Sequence, residues 1–311
     1  MEPTLWLWTL FGVVVGVCIL LDLFVLHRKA HEARLRESLG WVLTWIALAA
    51  AFNLVVLWQE GRQRAVEFTT VYLVELSLSV DNLFVFMVIF RYFAVPAAYQ
   101  HRVLFWGVAG ALAMRAVFIL TGMTLLNQFH WMVYVFGVIL LLTGLRLLMK
   151  PSQEVDIERS FVVLMLRKVM TIAPHYDGQR FLTRYRGRLA ATPLLVVLLL
   201  VESTDLLFAL DSIPAALAVS RDMFVVYSAN AFAVLGLRSF YFVASRFMSM
   251  FTYLHYGLSI VLAFVGVKMI LSPFYKIPSV WSLGVIGLVL GASVALSLFL
   301  PSSGAAGKRD S

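Results

Sequence analysis

The chain has 311 residues, of which 61% are hydrophobic and 14% charged, and its mean hydropathy is +0.89. These values exclude a soluble globular domain and predict a protein that crosses the membrane several times. A single cysteine, Cys18, excludes an internal disulfide and a multi-cysteine metal site, and the net charge of +8 reflects basic residues in loops rather than a nucleic-acid-binding surface.

The apolar segments predict an all-α, polytopic membrane protein of about nine transmembrane helices. We expect the first segment to stay in the mature protein, because it is too long and, at Asp22, too acidic at its end for a cleaved signal peptide. A long polar insert at 150–191 contains a basic amphipathic stretch, which predicts a helix on the inner membrane surface. The nine predicted segments are residues 5–26, 41–58, 69–90, 103–125, 131–149, 192–219, 224–245, 256–271 and 280–300.

The distribution of Lys and Arg predicts the orientation of these helices. With the N-terminus outside, the cytoplasmic segments hold 17 of these residues and the outer loops hold four. Short loops rich in Lys and Arg stay in the cytoplasm, so we expect the N-terminus outside and the C-terminus inside.

Two parts of the chain resemble each other. VYLVELSLSVDNLFVF in the third segment aligns with VESTDLLFALDSIPA in the sixth, and matching pairs follow through the fifth and eighth segments. The aligned pairs are Glu75 with Asp205, Asp81 with Asp211, Asn82 with Ser212, Arg115 with Arg238, and Gly144 with Gly266. Because each copy has three helices, the second enters from the opposite side of the membrane, and such inverted repeats place transporter sites at their shared interface.

The repeat divides a single transmembrane domain, 1–311, into five parts. We expect an N-terminal helix pair at 1–58, repeat A at 69–151, a cytoplasmic loop at 152–191, repeat B at 192–273, and a last helix with the tail at 280–311.

Carboxylates inside the predicted helices indicate a binding site, since each intramembrane charge costs about 2.5–3.5 kcal/mol. All six histidines lie at segment ends or in loops. Oxygen ligands without thiolate or imidazole suit a hard divalent cation such as Mg²⁺, Ca²⁺ or Mn²⁺. Pro214 is expected to break the sixth helix beside Asp211. The available oxygen ligands are the carboxylates of Glu75, Asp81, Glu202, Asp205 and Asp211, with Asp22 as a further candidate and with Ser77, Ser79, Asn82, Ser203, Thr204 and Ser212 alongside.

Other interpretations of these residues stay open. Arg115 and Arg238 lie in mid-helix and predict either salt bridges to the acids or a gating role. Asp22 belongs either to the site or to the membrane interface. A Ca²⁺/H⁺ exchanger would use the same ligands, and a non-transporting scaffold in metal or tellurite stress resistance would leave the acids unexplained. A membrane-embedded protease is disfavoured, because the chain has no HExxH or GxGD motif.

The segments ELSLSVDN, VESTDLLFALDSIPA, GLRSFYF and RFLTRYRGRLAATP together resemble the TerC/Alx family of bacterial integral membrane proteins, and the resemblance runs from the first helix to the ninth. It implies manganese export across the bacterial inner membrane and an association with tellurite resistance. The same resemblance implies that the acidic residues of the two repeats are metal ligands. In this sequence these positions fall on Glu75, Asp81, Asn82, Glu202, Asp205 and Asp211.

We therefore expect a transporter, not an enzyme, that exports Mn²⁺ as its substrate and holds no permanent cofactor. Burial and neighbouring carboxylates favour protonation of an empty site, whereas a bound divalent cation favours the ionised acids. This competition predicts export of Mn²⁺ in exchange for protons.

Overall fold

The computed structural model describes residues 5–24, 35–149, 161–247, 253–275 and 277–299. The fold is almost entirely helical, as the sequence predicts. Its helices are α1 (Leu5–Phe24), α2 (Leu35–Glu60), α3 (Arg62–Tyr92), α4 (Ala97–Gln128), α5 (Met132–Met149), α6 (Phe161–Val169), α7 (Pro193–Val219), α8 (Met223–Leu235), α9 (Leu237–Phe247), α10 (Leu254–Leu271) and α11 (Ser279–Phe299).

Each of the nine predicted segments coincides with one helix or, for 224–245, with the pair α8 and α9. Five helices, α2, α4, α5, α7 and α11, are long and apolar enough to cross a membrane. The pair α8–α9 would add a sixth, bent by 42° where Gly236 separates the two helices. Multiple membrane crossings are thus confirmed, whereas the count of nine stays a prediction.

Two apolar clusters occupy the interior of the bundle, and a polar layer separates them. On α3 one cluster contains Phe68 to Leu78 and the other Leu83 to Phe90. On α7 the first of these clusters contains Ala209 to Val219, and the second contains Leu194 to Val201. Asn82 of α3 and Glu202 and Asp205 of α7 therefore lie between the two hydrophobic layers, whereas Glu75 and Asp211 lie at the edge of the first cluster.

The helices α5 and α10 pack antiparallel with their backbones in contact. A Cβ atom on Gly137 would lie 3.0 Å from the carbonyl oxygen of Gly266, and one on Gly144 would lie 2.7 Å from that of Ser259. The predicted repeat aligns Gly144 with Gly266 and, seven residues earlier, Gly137 with Ser259. The two contacts are thus equivalent to each other under the predicted repeat.

The insert between α5 and α7 contains a small sheet that the sequence reading did not predict. Its strands are β1 (Thr171–Ile172), β2 (Leu182–Tyr185) and β3 (Arg188–Ala191), in the order β1-β3-β2, with β1 parallel and β2 antiparallel to β3. The β2–β3 turn is Arg186 and Gly187, both with positive φ, as two-residue hairpins prefer. Before the sheet, α6 covers residues 161–169 of the predicted amphipathic helix.

The insert packs on the connection between α3 and α4. The hydroxyl of Tyr176 donates to the carbonyl of Phe93 at 2.8 Å, and the guanidinium of Arg102 lies 5.0 Å from the ring centre of Phe181. Burial raises the pKa of the Tyr176 hydroxyl, which therefore stays protonated as the donor in this contact. The sheet is thus attached to the end of the bundle that the Lys and Arg distribution assigns to the cytoplasm.

Candidate cation site

The helices α3 and α7 run antiparallel and bring polar residues of the two predicted repeats together. The Asn82 amide donates to Asp205 Oδ1 at 3.3 Å, and toward the start of α3 the Ser220 hydroxyl donates to Glu67 at 2.6 Å. Glu75 lies between these levels on α3 and is fully buried. The acidic residue that each repeat supplies at the matched position, Glu75 or Asp205, therefore faces the same interface.

Arg115, from α4, links the two acids. Its Nη1 atom forms an ion pair with Glu75 and also donates to the Asn230 side-chain oxygen at 3.0 Å. Its Nη2 atom lies 3.6 Å from Asp205 Oδ1. The sequence left open a salt bridge to the acids or a gating role for Arg115, and the structure contains the salt bridge.

These charges are almost completely removed from solvent. The exposed fraction is 0% for Glu75, 1% for Arg115 and 4% for Asp205. Burying an ion pair costs several kcal/mol per ion before the mutual attraction is counted, so such a group is weak as a stabilising device. Its position inside the bundle is better explained by a function that needs charge there.

The cluster also contains oxygen atoms that are free to bind a ligand. Within the described part of the chain, five buried oxygens of the cluster make no hydrogen bond of standard geometry, although the Ser212 hydroxyl lies close enough to the Glu75 carboxylate to interact with it. They are Glu75 Oε1, Ser79 Oγ, Asn82 Oδ1, Asp205 Oδ2 and Ser212 Oγ. Carboxylate, amide and hydroxyl oxygens are the ligands of Mg²⁺, Ca²⁺ and Mn²⁺, so these residues fit a hard divalent cation.

The other predicted ligands of α7 lie at different levels of the same helix. The Glu202 carboxylate lies against Gly110 of α4, and Asp211 accepts a hydrogen bond of 3.0 Å from the Thr143 hydroxyl of α5. Three and six residues of helix place Glu202, Asp205 and Asp211 about 4.5 and 9 Å apart along the axis. The three carboxylates therefore form a row along α7, in which Glu202 lies against α4, Asp205 contacts α3 and α4, and Asp211 contacts α5.

The expected break of α7 at Pro214 is wrong. The helix continues through Pro214 to Val219, and Pro214 is buried within it. Without a break, helical rotation keeps Asp211 away from the direction of Asp205. In agreement, no three carboxylate, imidazole or thiol groups among the described residues are close enough together to hold a metal ion.

The remaining predicted site residues either contact groups outside the Glu75–Asp205 cluster or have side chains that the structure does not describe. The Ser77 hydroxyl donates to the carbonyl of Leu73 one turn earlier, and Arg238 lies 3.1 Å from the Nδ1 atom of His101. Asp22 and Asp81 belong to α1 and α3, but their side chains lie outside the described part of the structure. The full ligand assignment therefore stays a prediction.

Three residues of the site were not found from the sequence. Asn230 holds Arg115, Thr143 holds Asp211, and Gly110 leaves space for Glu202. Asn230 is an amide within the apolar run of α8 and could have been noticed for that reason. Thr143 and Gly110 are common residues of membrane helices, and their type alone carries no such signal.

Comparison with known proteins confirms the family resemblance. A model of the Integral membrane protein TerC family matches residues 60–305. An uncharacterized membrane protein of Myxococcus xanthus is 48% identical over 292 residues, which cover 94% of this chain and 92% of that protein. A protein of Escherichia coli K12 named "Putative membrane-bound redox modulator Alx" is 43% identical over 289 residues, 90% of each chain.

More distant matches agree with this assignment. An uncharacterized membrane protein of Rickettsia felis is 36% identical over 276 residues, which cover 89% of this chain and 92% of that protein. No solved structure matches the chain significantly. The family match covers both predicted repeats and all the described site residues, and the chain therefore belongs to the TerC family of integral membrane proteins.

Proposed function

We propose that this protein exports a hard divalent cation across the bacterial inner membrane, with Mn²⁺ as its substrate. The observation that carries the proposal is the group of five buried oxygens between α3 and α7 that make no hydrogen bond of standard geometry in the described part of the chain. A buried oxygen without a partner costs about 1–3 kcal/mol, and a transported cation would compensate for this cost while it is bound. The preference for Mn²⁺ over Ca²⁺ rests on the family resemblance, because the ligand chemistry suits both ions.

The row of carboxylates along α7 supports transport rather than permanent storage of the ion. Glu202 and Asp211 lie on either side of Asp205 along the helix axis, and both are only partly buried. A cation that leaves Glu75 and Asp205 would meet a further carboxylate in either direction. We infer that Glu202 and Asp211 lie on the entry and exit paths of the central site.

Protons are the proposed counter-ions. The acids must lose protons to bind a divalent cation and regain them when the cation leaves, so each transport cycle can carry protons inward. The name of the Escherichia coli relative suggests a redox role instead. Transport is the better supported function here, because the chain has one thiol, Cys18, and cannot form an internal disulfide.

Cation flux in proteoliposomes tests this function. We expect the purified protein to move Mn²⁺ in preference to Mg²⁺ and Zn²⁺, and the comparison with Ca²⁺ decides between a manganese exporter and a calcium exchanger. Asp205→Asn removes the charge but keeps the shape, and should abolish flux. Asp177→Asn, a matched change in the insert, should leave flux unchanged.

Two results would contradict the proposal. Absence of flux for all four ions in protein that is folded and inserted would favour a non-transporting scaffold. If Mn²⁺ flux does not change when a pH gradient is imposed, the protein is still a transporter, but protons are not its counter-ions.

A further inference from the structure

Arg115 is held by its partners in an unusual way. Arginine that stabilises a protein through a carboxylate commonly forms two parallel hydrogen bonds with it. Here Nη1 serves both Glu75 and Asn230, whereas Nε and Nη2 make no hydrogen bond within the described part of the chain. The contact of Nη2 with Asp205, at 3.6 Å, is an ion pair beyond hydrogen-bond length. The guanidinium therefore neutralises two acids without being fixed to either by paired hydrogen bonds.

The guanidinium and a cation would need the same two carboxylates. Glu75 and Asp205 each have one oxygen directed to Arg115 and one without a partner. A divalent cation bound between these acids would lie next to the guanidinium in a buried environment, where like charges repel strongly. Both cannot occupy the site in the present arrangement.

We propose that Arg115 is a resident counter-ion, which neutralises Glu75 and Asp205 while the site is empty and is displaced when the divalent cation binds. This inference rests on the proposed function and concerns the regulation of the same site. Asn230 has a positioning role, because its side-chain oxygen is a neutral partner that Arg115 keeps after the carboxylates are taken. Transport then depends on weak binding, since Arg115 competes with the cargo and helps to release it.

The other basic side chains of the bundle have different surroundings. Lys268 of α10 lies near Glu67, toward the outer end of α3 in the predicted orientation, and Arg146 is exposed on α5. A substitution at Arg146 removes the same charge from a membrane helix without touching the site. It is therefore the matched control for a substitution at Arg115.

Equilibrium binding of Mn²⁺ to the purified full-length protein in nanodiscs tests the counter-ion role. We expect Arg115→Gln to bind Mn²⁺ about ten-fold more tightly than the unaltered protein, because a charge-assisted contact that opposes binding is lost. Export by the same variant should be slower, since the empty site keeps uncompensated charge and the cation leaves slowly. Arg146→Gln should change neither property.

The alternative outcomes separate this inference from the proposed function. If the unaltered protein binds Mn²⁺ and Arg115→Gln binds it equally or more weakly, the counter-ion role is overturned while the proposed function stands. If the unaltered protein binds no divalent cation, the proposed function falls and this inference with it.

A second variant covers a failure of Arg115→Gln to fold. Arg115→Lys keeps the charge, but a single ammonium group reaches Glu75, Asp205 and Asn230 less well than a planar guanidinium. We expect this variant to bind Mn²⁺ about three-fold more tightly than the unaltered protein, which corresponds to about 0.6 kcal/mol. Binding that is unchanged or weaker would overturn the proposal.

Discussion

Glu75 and Asp205 each leave one buried carboxylate oxygen without a partner, an arrangement that proteins generally avoid. The nearby Ser79, Asn82 and Ser212 oxygens are in the same condition. A purely structural polar network would be expected to satisfy these atoms, because partly satisfied networks cost stability. At the scale of single residues, the site is thus arranged for a ligand that binds and leaves.

Charge removal at the acids should separate transport from folding. We expect Asp81→Asn and Asp211→Asn each to abolish Mn²⁺ efflux while the amount of protein in the membrane stays the same, because the amide keeps the size of the side chain. Growth of cells in added manganese measures the effect, with Cys18→Ser as a silent control. Full protection by either Asn variant would show that its residue is not a ligand.

The hydrogen bond from Thr143 to Asp211 allows a graded test at the same position. Thr143→Val removes the hydroxyl and preserves the branched shape, so Asp211 loses a donor worth about 1 kcal/mol. We expect efflux to fall about five-fold in a flux assay, with insertion unchanged. An efflux rate equal to that of the unaltered protein would mean that α5 does not position Asp211.

Gly110 and Glu202 provide a test in which folding should be preserved. A Cβ atom on Gly110 would collide with the Glu202 carboxylate, the flexible end of a side chain that can move away. Gly110→Ala should therefore change transport and leave thermal stability nearly unaltered. Gly12→Ala, whose Cβ meets nothing within 4 Å, is the control for both measurements. A large loss of stability would show that Glu202 cannot move.

At the scale of helices, the sequence predicted best those features that depend on a single property, such as the length of an apolar run. Long apolar runs predicted every helix of the bundle, since apolar surface at this length is stable only in a membrane or a large core. The pairing of Glu75 with Asp205 followed from the internal repeat. The positions of Glu202 and Asp211 relative to Asp205 could not be predicted from the repeat. They depend on the unbroken course of α7 and on which helices surround it.

Other local features depended on contacts that a sequence does not display. Proline was expected to break α7, yet the packed surroundings of Pro214 keep the helix continuous. The bend lies instead at Gly236, between α8 and α9. Strand β1 pairs with β3, which lies further along the insert, and the pairing covers only two residues of each strand. A strand of two residues is too short to show the alternation of apolar and polar side chains from which strands are predicted.

The close packing of α5 and α10 predicts a strong effect of small substitutions. A Cβ atom on Gly144 would lie 2.7 Å from the backbone nitrogen of Ala263 as well as from Ser259, and backbone atoms cannot move aside easily. We expect Gly144→Ala to lower stability by about 1–3 kcal/mol and to reduce the melting temperature in detergent. Gly291→Ala on α11, which meets nothing within 4 Å, should be neutral. Equal melting temperatures for the two variants would argue against this helix contact.

At the scale of the whole molecule, the orientation in the membrane can be measured directly. In a Cys18→Ser background, Arg184→Cys on β2 should react with a membrane-impermeant reagent only after the inner face is opened, whereas Arg221→Cys should react in intact cells. Both positions are exposed, and Arg184 avoids the positive φ of Arg186. Labelling of Arg184→Cys from outside would reverse the proposed topology.

The inverted repeat makes a second prediction for the whole molecule. In an experimental structure, residues 69–151 should superpose on residues 192–273 after a rotation about an axis in the membrane plane. The antiparallel course of α3 and α7 is the relation that such an axis requires. A structure in which these two helices run parallel would contradict the repeat.

The backbone contact between α5 and α10 also provides an internal distance standard. Gly137 and Gly266 each leave less than 3.1 Å between a hypothetical Cβ and the other's carbonyl oxygen, so a side chain brought to either position by sliding would collide with backbone. Spectroscopic labels on the lipid-facing sides of α5 and α10 should therefore keep one separation throughout a transport cycle. If that separation stays constant, changes measured from either label to α3 or α7 would report movement of those helices relative to the α5–α10 pair.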